Sequence, residues 1–141
     1  MVSVVCDAVI VVRALINPYS YWGRLLFEHA TEYRLIVSPP ILAEVLEVIQ
    51  RPRLTRKYRM LATRDPATVL ALLAAAEIIE IEAIPAVSRD PKDDKYLATA
   101  ALAGADYLVS EDEDLLVIGE YQGVTIVDGR TFLHLLEQRP S

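Results

Sequence analysis

Five short apolar runs, Val2 to Cys6, Leu35 to Val37, Ile78 to Ile81, Tyr107 to Ser110 and Val124 to Val127, alternate with longer stretches of helical patterning. Parallel strands need a crossover between them, usually a helix, and helices then cover both faces of the sheet. The alternation therefore predicts an α/β protein built on a central, mainly parallel sheet of about five strands. A chain of 141 residues suits a single domain spanning 1–141, able to bury a core without disulfides or structural metal. It contains no internal repeat, low-complexity stretch or interdomain linker.

The helices carry their own punctuation. Ser38 followed by Pro39 and Pro40 predicts a helix through Ile41, Leu42, Val45, Leu46 and Ile49, stopped by Pro52. Asp65 and Pro66 predict another through Ala76, and Asp128 is placed to cap a last helix from Arg130 to Glu137.

The run from Asp90 to Leu116 is the most informative for chemistry. Asp93, Asp94 and Lys95 open an alanine-rich helix that Gly104 is placed to end in a left-handed cap, and Tyr107 to Ser110 follows as a buried strand. Glu111, Asp112, Glu113 and Asp114 come next, where a parallel strand delivers the chain to the carboxyl edge of its sheet. Ligand sites in open α/β sheets form at that edge. Asp7 ends the first run and should reach the same edge, and Glu44 lies about one turn into the helix after the second. Each acid also has a plain structural role open to it: Asp7 and Asp112 as helix caps, Asp94 as a partner of its helix's positive end, Glu44 on a solvated face.

Together, four carboxylates aimed at one edge would repel one another. Two like charges 4 Å apart cost on the order of 4 kcal/mol at an effective dielectric of 20. Such a cluster must take up protons, recruit bases or bind cations. All-oxygen ligands with few histidines suit Mg²⁺ or Mn²⁺, whose chemistry on phosphates is water-activated phosphodiester hydrolysis. His29 and His134 lack zinc-like spacing, and the 5 glycines form neither a phosphate loop nor a dinucleotide fingerprint. A serine or cysteine nucleophile has no identifiable base partner. A phosphoacceptor receiver domain would need adjacent acids after the first strand and an Asp after the third, and Ala8 and the Ile78 to Ala83 segment supply neither.

These segments resemble the PIN-domain nucleases, in particular the bacterial and archaeal toxin-like branch paired with small antitoxins. The strand ending in Asp7, SPPILAEVLEVIQRPRL with Glu44, SRDPKDDKYLATAALAGADYLVS with Asp94, and EDEDLL with Asp112 follow the family's order and spacing over nearly the whole chain. The resemblance implies a three-layer, Rossmann-like α/β/α PIN fold, one or two Mg²⁺ or Mn²⁺ ions, endonucleolytic cleavage of single-stranded RNA, and an antitoxin whose tail covers the acidic pocket. It assigns catalysis and metal binding to Asp7, Glu44, Asp94 and Asp112, with Asp114 as auxiliary metal ligand. Helical geometry is consistent with Asp94 in preference to Asp93: Asp94 shares a face with Leu97, Ala98 and Ala101, and Asp93 projects about 100° away.

The chain departs from the family after its first acid. Ala8 and Val9 stand where a small hydroxyl residue and Asn are usual, and Glu111 and Glu113 stand where Gly and Lys are common. The alternative to a toxin ribonuclease is accordingly a weakened or inactive PIN module that binds RNA or a protein partner. A net charge of −6 argues against a phosphate ligand. Six of the 14 bases, Arg51, Arg53, Arg56, Lys57, Arg59 and Arg64, nevertheless fall in one segment, whose first five are the candidate nucleic-acid contacts. Tyr19, Tyr21 and Trp22 cluster where aromatics either stack on bases or pack in a core or dimer contact. A hydrophobic fraction of 53% suits a homodimer surface or a well-filled core. The single Cys6, the absence of a long apolar stretch and an N-terminus unlike a signal peptide lead us to expect a cytoplasmic protein with no membrane contact.

Overall fold

A computed structural model describes residues 1–58 and 76–138. Strands β1 (Ser3–Cys6), β2 (Arg34–Val37), β3 (Glu77–Ile78), β4 (Tyr107–Val109), β5 (Glu120–Tyr121) and β6 (Val124–Val127) form one sheet in the order β3-β2-β1-β4-β6-β5. Four neighbouring pairs are parallel, and β5 with β6 is antiparallel. All five expected runs contribute strands, the third shortened to Glu77–Ile78. The sixth, β5, is an addition to the expected sheet. It returns through Gln122 and Gly123, whose φ values of 48° and 85° make the two-residue turn that matches strand twist.

The helices are α1 (Ala8–Ile16), α2 (Tyr21–Gly23) running into a π-helical turn (Arg24–Glu28), α3 (Pro39–Ile49), α4 (Pro52–Lys57), α5 (Asp94–Ala103) entered through a 3₁₀ turn (Pro91–Asp93), α6 (Glu113–Leu116) and α7 (Gly129–Glu137). Gly104 ends α5 at φ 63°, as expected of a left-handed cap. Asp128 caps α7 by accepting from the Thr131 amide at 2.7 Å. Pro52 does more than stop a helix: it occupies the first turn of α4, where its missing N–H costs nothing. The helix expected from Asp65 and Pro66 lies, but for Ala76, outside the described residues, as do Arg59 and Arg64.

Alternation along the strands builds the layers. Val4 and Cys6 of β1 pack with Ile10 of α1 and with Phe132, Leu133 and Leu136 of α7. Val5 faces the opposite way, joining Leu108 and Ile126 against Leu97 and Ala100 of α5. Phe132, Leu97 and Leu108 are almost wholly buried, each contributing about 1.5–3 kcal/mol by removal from water. The order reverses at β1 and β4, with β2 and β3 on one side and β6 and β5 on the other. The crevice outside the carboxyl ends of β1 and β4 is thus the switch point at which such sheets bind ligands.

Candidate active site

Register decides which acids meet. Cys6 pairs with Val109, so Asp7 leaves β1 beside Ser110 at the end of β4, and its amide donates to the Val109 carbonyl at 3.1 Å. Asp7 is 4% exposed. One carboxylate oxygen caps α1, accepting from the Ile10 amide at 3.0 Å, and the other accepts the Ser110 hydroxyl. Burial pushes this carboxyl up to about 6, outweighing the hydrogen bonds from Ser110, Ile10 and the Glu111 backbone, and the Glu111 charge adds to the rise.

Asp112 caps α6 through the Asp114 amide at 2.8 Å, and its own amide donates to Ser110 Oγ at 3.0 Å. Ser110 is fully buried and so braces both acids. Asp93, the last residue of the 3₁₀ turn, is 7% exposed, and its Oδ2 is buried with no hydrogen-bond partner among the described residues. Burial first, then contact with Asp112 and the charges of Asp112, Asp90 and Asp7, push this carboxyl up to about 7. Asp90, Asp93 and Asp114 each present a carboxylate oxygen within 4.8 Å of the other two. Arg89 Nη2 pairs with Asp114 Oδ1 at 2.8 Å, a counter-ion at the rim.

Two acids expected at this edge have other hydrogen-bond or ion-pair partners. Asp94 is buried, but its Oδ1 accepts from the amides of Val87 and Ser88 at 3.2 and 2.7 Å, so it fastens the loop before the 3₁₀ turn. Glu44 accepts the Tyr96 hydroxyl and pairs with Lys95 Nζ at 2.8 Å. Tyr96 in turn accepts from the Ala8 amide at 3.0 Å, which links Glu44 to the backbone after Asp7. Burial first, and then the Glu44 contact, keep the Tyr96 hydroxyl protonated by pushing its pKa far up.

The Asp93 placement has a clear sequence signal. Asp93, Tyr96, Leu97 and Ala100 stand at i, i+3, i+4 and i+7, and the last three are buried. A helical wheel anchored on the large side chains, rather than on the small alanines, points to Asp93. Glu111 also holds two elements together: its Oε1 accepts from Trp22 Nε1 at 2.8 Å and from the Gly129 amide at 3.1 Å, tying α2 to α7. Among the described residues of the basic segment, Arg51 feels the charge of Glu44. Over 11 residues α3 carries the chain away by about 16 Å, Arg51 pairs with Glu47 at 2.7 Å, and Arg56 Nε donates to the Pro52 carbonyl.

A buried carboxylate oxygen facing other carboxylates is satisfied by a proton, a donor such as water, or a cation. The donor set is entirely oxygen, so the residues present fit a hard divalent cation.

Residues 3–114 match the family model of the PIN domain. The chain belongs to the PIN-domain family. PIN domains are typically nucleases that use divalent metals. This PIN domain is similar in fold to PAE2754 from Pyrobaculum aerophilum, at 21% identity and a TM-score of 0.58, covering 98% of this chain and 91% of that one. It is also similar to VapBC2 from Rickettsia felis, solved bound to a DNA fragment from their promoter, at 16% identity and a TM-score of 0.56, covering 89% of this chain and 98% of that one. No curated protein matches the sequence. Among the described residues, no helix is long and apolar enough to cross a membrane.

Proposed function

We propose that this PIN domain is a Mg²⁺- or Mn²⁺-dependent endoribonuclease that cuts single-stranded RNA as the toxin of a toxin–antitoxin pair. The observation that carries the reading is the buried, unpartnered Oδ2 of Asp93 among Asp7, Asp90, Asp112 and Asp114. Asp7, Asp93 and Asp112 are the residues that would hold the cation, with Asp114 and Asp90 at the rim. A bound divalent ion supplies activation of water and neutralises charge developing on the phosphate. Ser110 orients Asp7 and the Asp112 backbone, and Glu44, through Tyr96 and Lys95, braces the start of α1 against α5. Asp94 is assigned to holding the 87–88 loop backbone. The fold likeness to a VapBC complex supports a small antitoxin as partner; a homodimer and a cytoplasmic setting belong to the same proposal.

The test is cleavage of single-stranded RNA with Mn²⁺ or Mg²⁺ and in EDTA, beside calorimetric titration with Mn²⁺. Cutting that needs the metal is expected; intact RNA and no Mn²⁺ binding at millimolar metal would overturn the proposal.

The second reading, a PIN module that binds without cutting, rests on Ala8 and Val9 in place of the usual hydroxyl and Asn. The Ser110 hydroxyl on Asp7 and the Tyr96 hydroxyl on the Ala8 amide supply bracing of that kind from other elements, which favours the catalytic reading. Ser110→Ala should therefore lower cleavage about 10- to 100-fold, as removal of an indirect partner does. It should also lower stability by about 1–3 kcal/mol through loss of a buried hydrogen bond. Unchanged kinetics in this variant would show that Asp7 needs no brace.

A further inference from the structure

A second concavity runs along α7. It has a volume of about 420 Å³ and is lined by Tyr21, Arg24, Arg130, Thr131, His134 and Glu137, together with Leu133. Glu111 joins it to the carboxylate pocket. That residue precedes Asp112 and holds both Trp22, next to Tyr21, and Gly129, next to Arg130. The end of the cleft formed by Tyr21 and Arg130 is therefore the end nearer the acids.

The chemistry of that end is specific. Tyr21 is 43% exposed, and the Arg130 guanidinium lies over its ring, 5.8 Å from the centroid. An exposed ring beside a guanidinium plane is a surface on which an unpaired base stacks. The nearby acids are engaged: Glu137 and Glu28 with Arg24 at 2.7 and 3.2 Å, Glu111 with Trp22 and Gly129, and Asp128 with Thr131. Among the described residues Arg130 makes no ion pair within 4 Å, and its charge interaction is with Asp128, two residues before it. It is left to meet a phosphate, for which its planar fork is suited. The Arg24–Glu137 pair occupies the far end, about 10 Å along the helix.

We propose that this cleft is a subsite for a nucleotide of single-stranded RNA next to the bond that is cut, the base stacking on Tyr21 and a phosphate held by Arg130. The position relative to a cut bond rests on the nuclease reading; the binding does not. An acidic peptide would use Arg130 but gain nothing from the exposed ring, so a polynucleotide is the better match.

The test measures binding of a labelled short single-stranded oligoribonucleotide by fluorescence anisotropy in EDTA, followed by cleavage kinetics with Mn²⁺. Tyr21→Ala and Arg130→Ala should each weaken binding by about 5- to 100-fold, the range for loss of a stacking partner. Arg130→Ala should also reduce the slope of log affinity against log salt by about 1. Tyr21→Phe keeps the ring and should bind like the wild type, and Arg130→Lys keeps the charge and should recover part of the loss. In cleavage, KM should rise with kcat little changed. Unaltered affinity and salt slope in folded Tyr21→Ala and Arg130→Ala overturn the subsite whether or not RNA is cut. So does an acidic peptide that binds through these residues while the oligonucleotide does not. Binding that depends on both residues without any Mn²⁺-dependent cutting upholds the subsite and removes the nuclease reading.

Discussion

Asp93→Asn is expected to abolish Mn²⁺ binding and metal-dependent RNA cleavage, while Asp94→Asn keeps both and loses thermal stability instead. The two residues are adjacent and both buried, so the contrast comes from what each carboxylate touches. Asp93 faces Asp112, Asp90 and Asp7 with one oxygen unpartnered. An amide there removes a negative charge from a cation site and places N–H donors against carboxylates. The loss should exceed the ~10–100-fold that follows removal of an indirect partner. Metal-free Asp93→Asn should melt no lower than the wild type at neutral pH, because the substitution relieves repulsion. Asp94 instead accepts two backbone amides, and hydrogen bonds to a charged acceptor are worth about 1.5–3 kcal/mol each. Asparagine keeps an oxygen for them but loses the charge, so a loss of about 1–3 kcal/mol is expected by denaturant or thermal melting. The reverse pattern, with Asp94→Asn dead and Asp93→Asn active, would sink the assignment.

The difficulty of that pair shows what a sequence carries and what it withholds. Strands were readable because apolar runs bounded by turn residues report burial directly, and four of the five lie within a residue of their expected bounds. β5 was not, because two residues are too few to show a period, and only the Gln122–Gly123 turn betrays the hairpin. The positions of Asp7 and Asp112 near the carboxyl edge were legible because Asp7 directly follows β1 and Asp112 comes three residues after β4. Asp93 was harder because the helical wheel can be anchored on Ala98 and Ala101, which favours Asp94, or on Tyr96, Leu97 and Ala100, which favours Asp93. Ser110 and Glu111 depend on contacts between residues far apart in the chain, Asp7 for one and Trp22 for the other. No local pattern reports such pairs. The charge run at Arg51 was visible, but the Glu47 that pairs with Arg51 stands four residues earlier, the spacing of an ordinary helix-surface ion pair.

Metal-free protein is expected to lose stability as pH rises from about 4 to 7.5, the interval between the unfolded and folded pKa values, and Mn²⁺ is expected to remove that dependence. The folded pKa values of Asp7 and Asp93 are raised, to about 6 and about 7, above unfolded values near 4. Between those limits the folded chain holds protons that the unfolded chain has released. Stability then falls with rising pH, the opposite of the usual salt-bridged carboxylate. For Asp7 alone the effect is on the order of 3 kcal/mol, and Asp93 adds to it by an amount that its closeness to Asp112 makes non-additive. Cations take the deprotonated carboxylates, so metal affinity should climb through the same window. Saturating Mn²⁺ at 100 times its Kd restores about 2.7 kcal/mol. The measurement is a series of melting curves across this window, in EDTA and in Mn²⁺, for the wild type and Asp93→Asn. The variant should show a shallower metal-free decline and no rescue. A wild-type midpoint that rises with pH in EDTA would mean that these carboxylates are already paired with cationic side chains, and the case for a metal centre built on unpartnered acids would go with it.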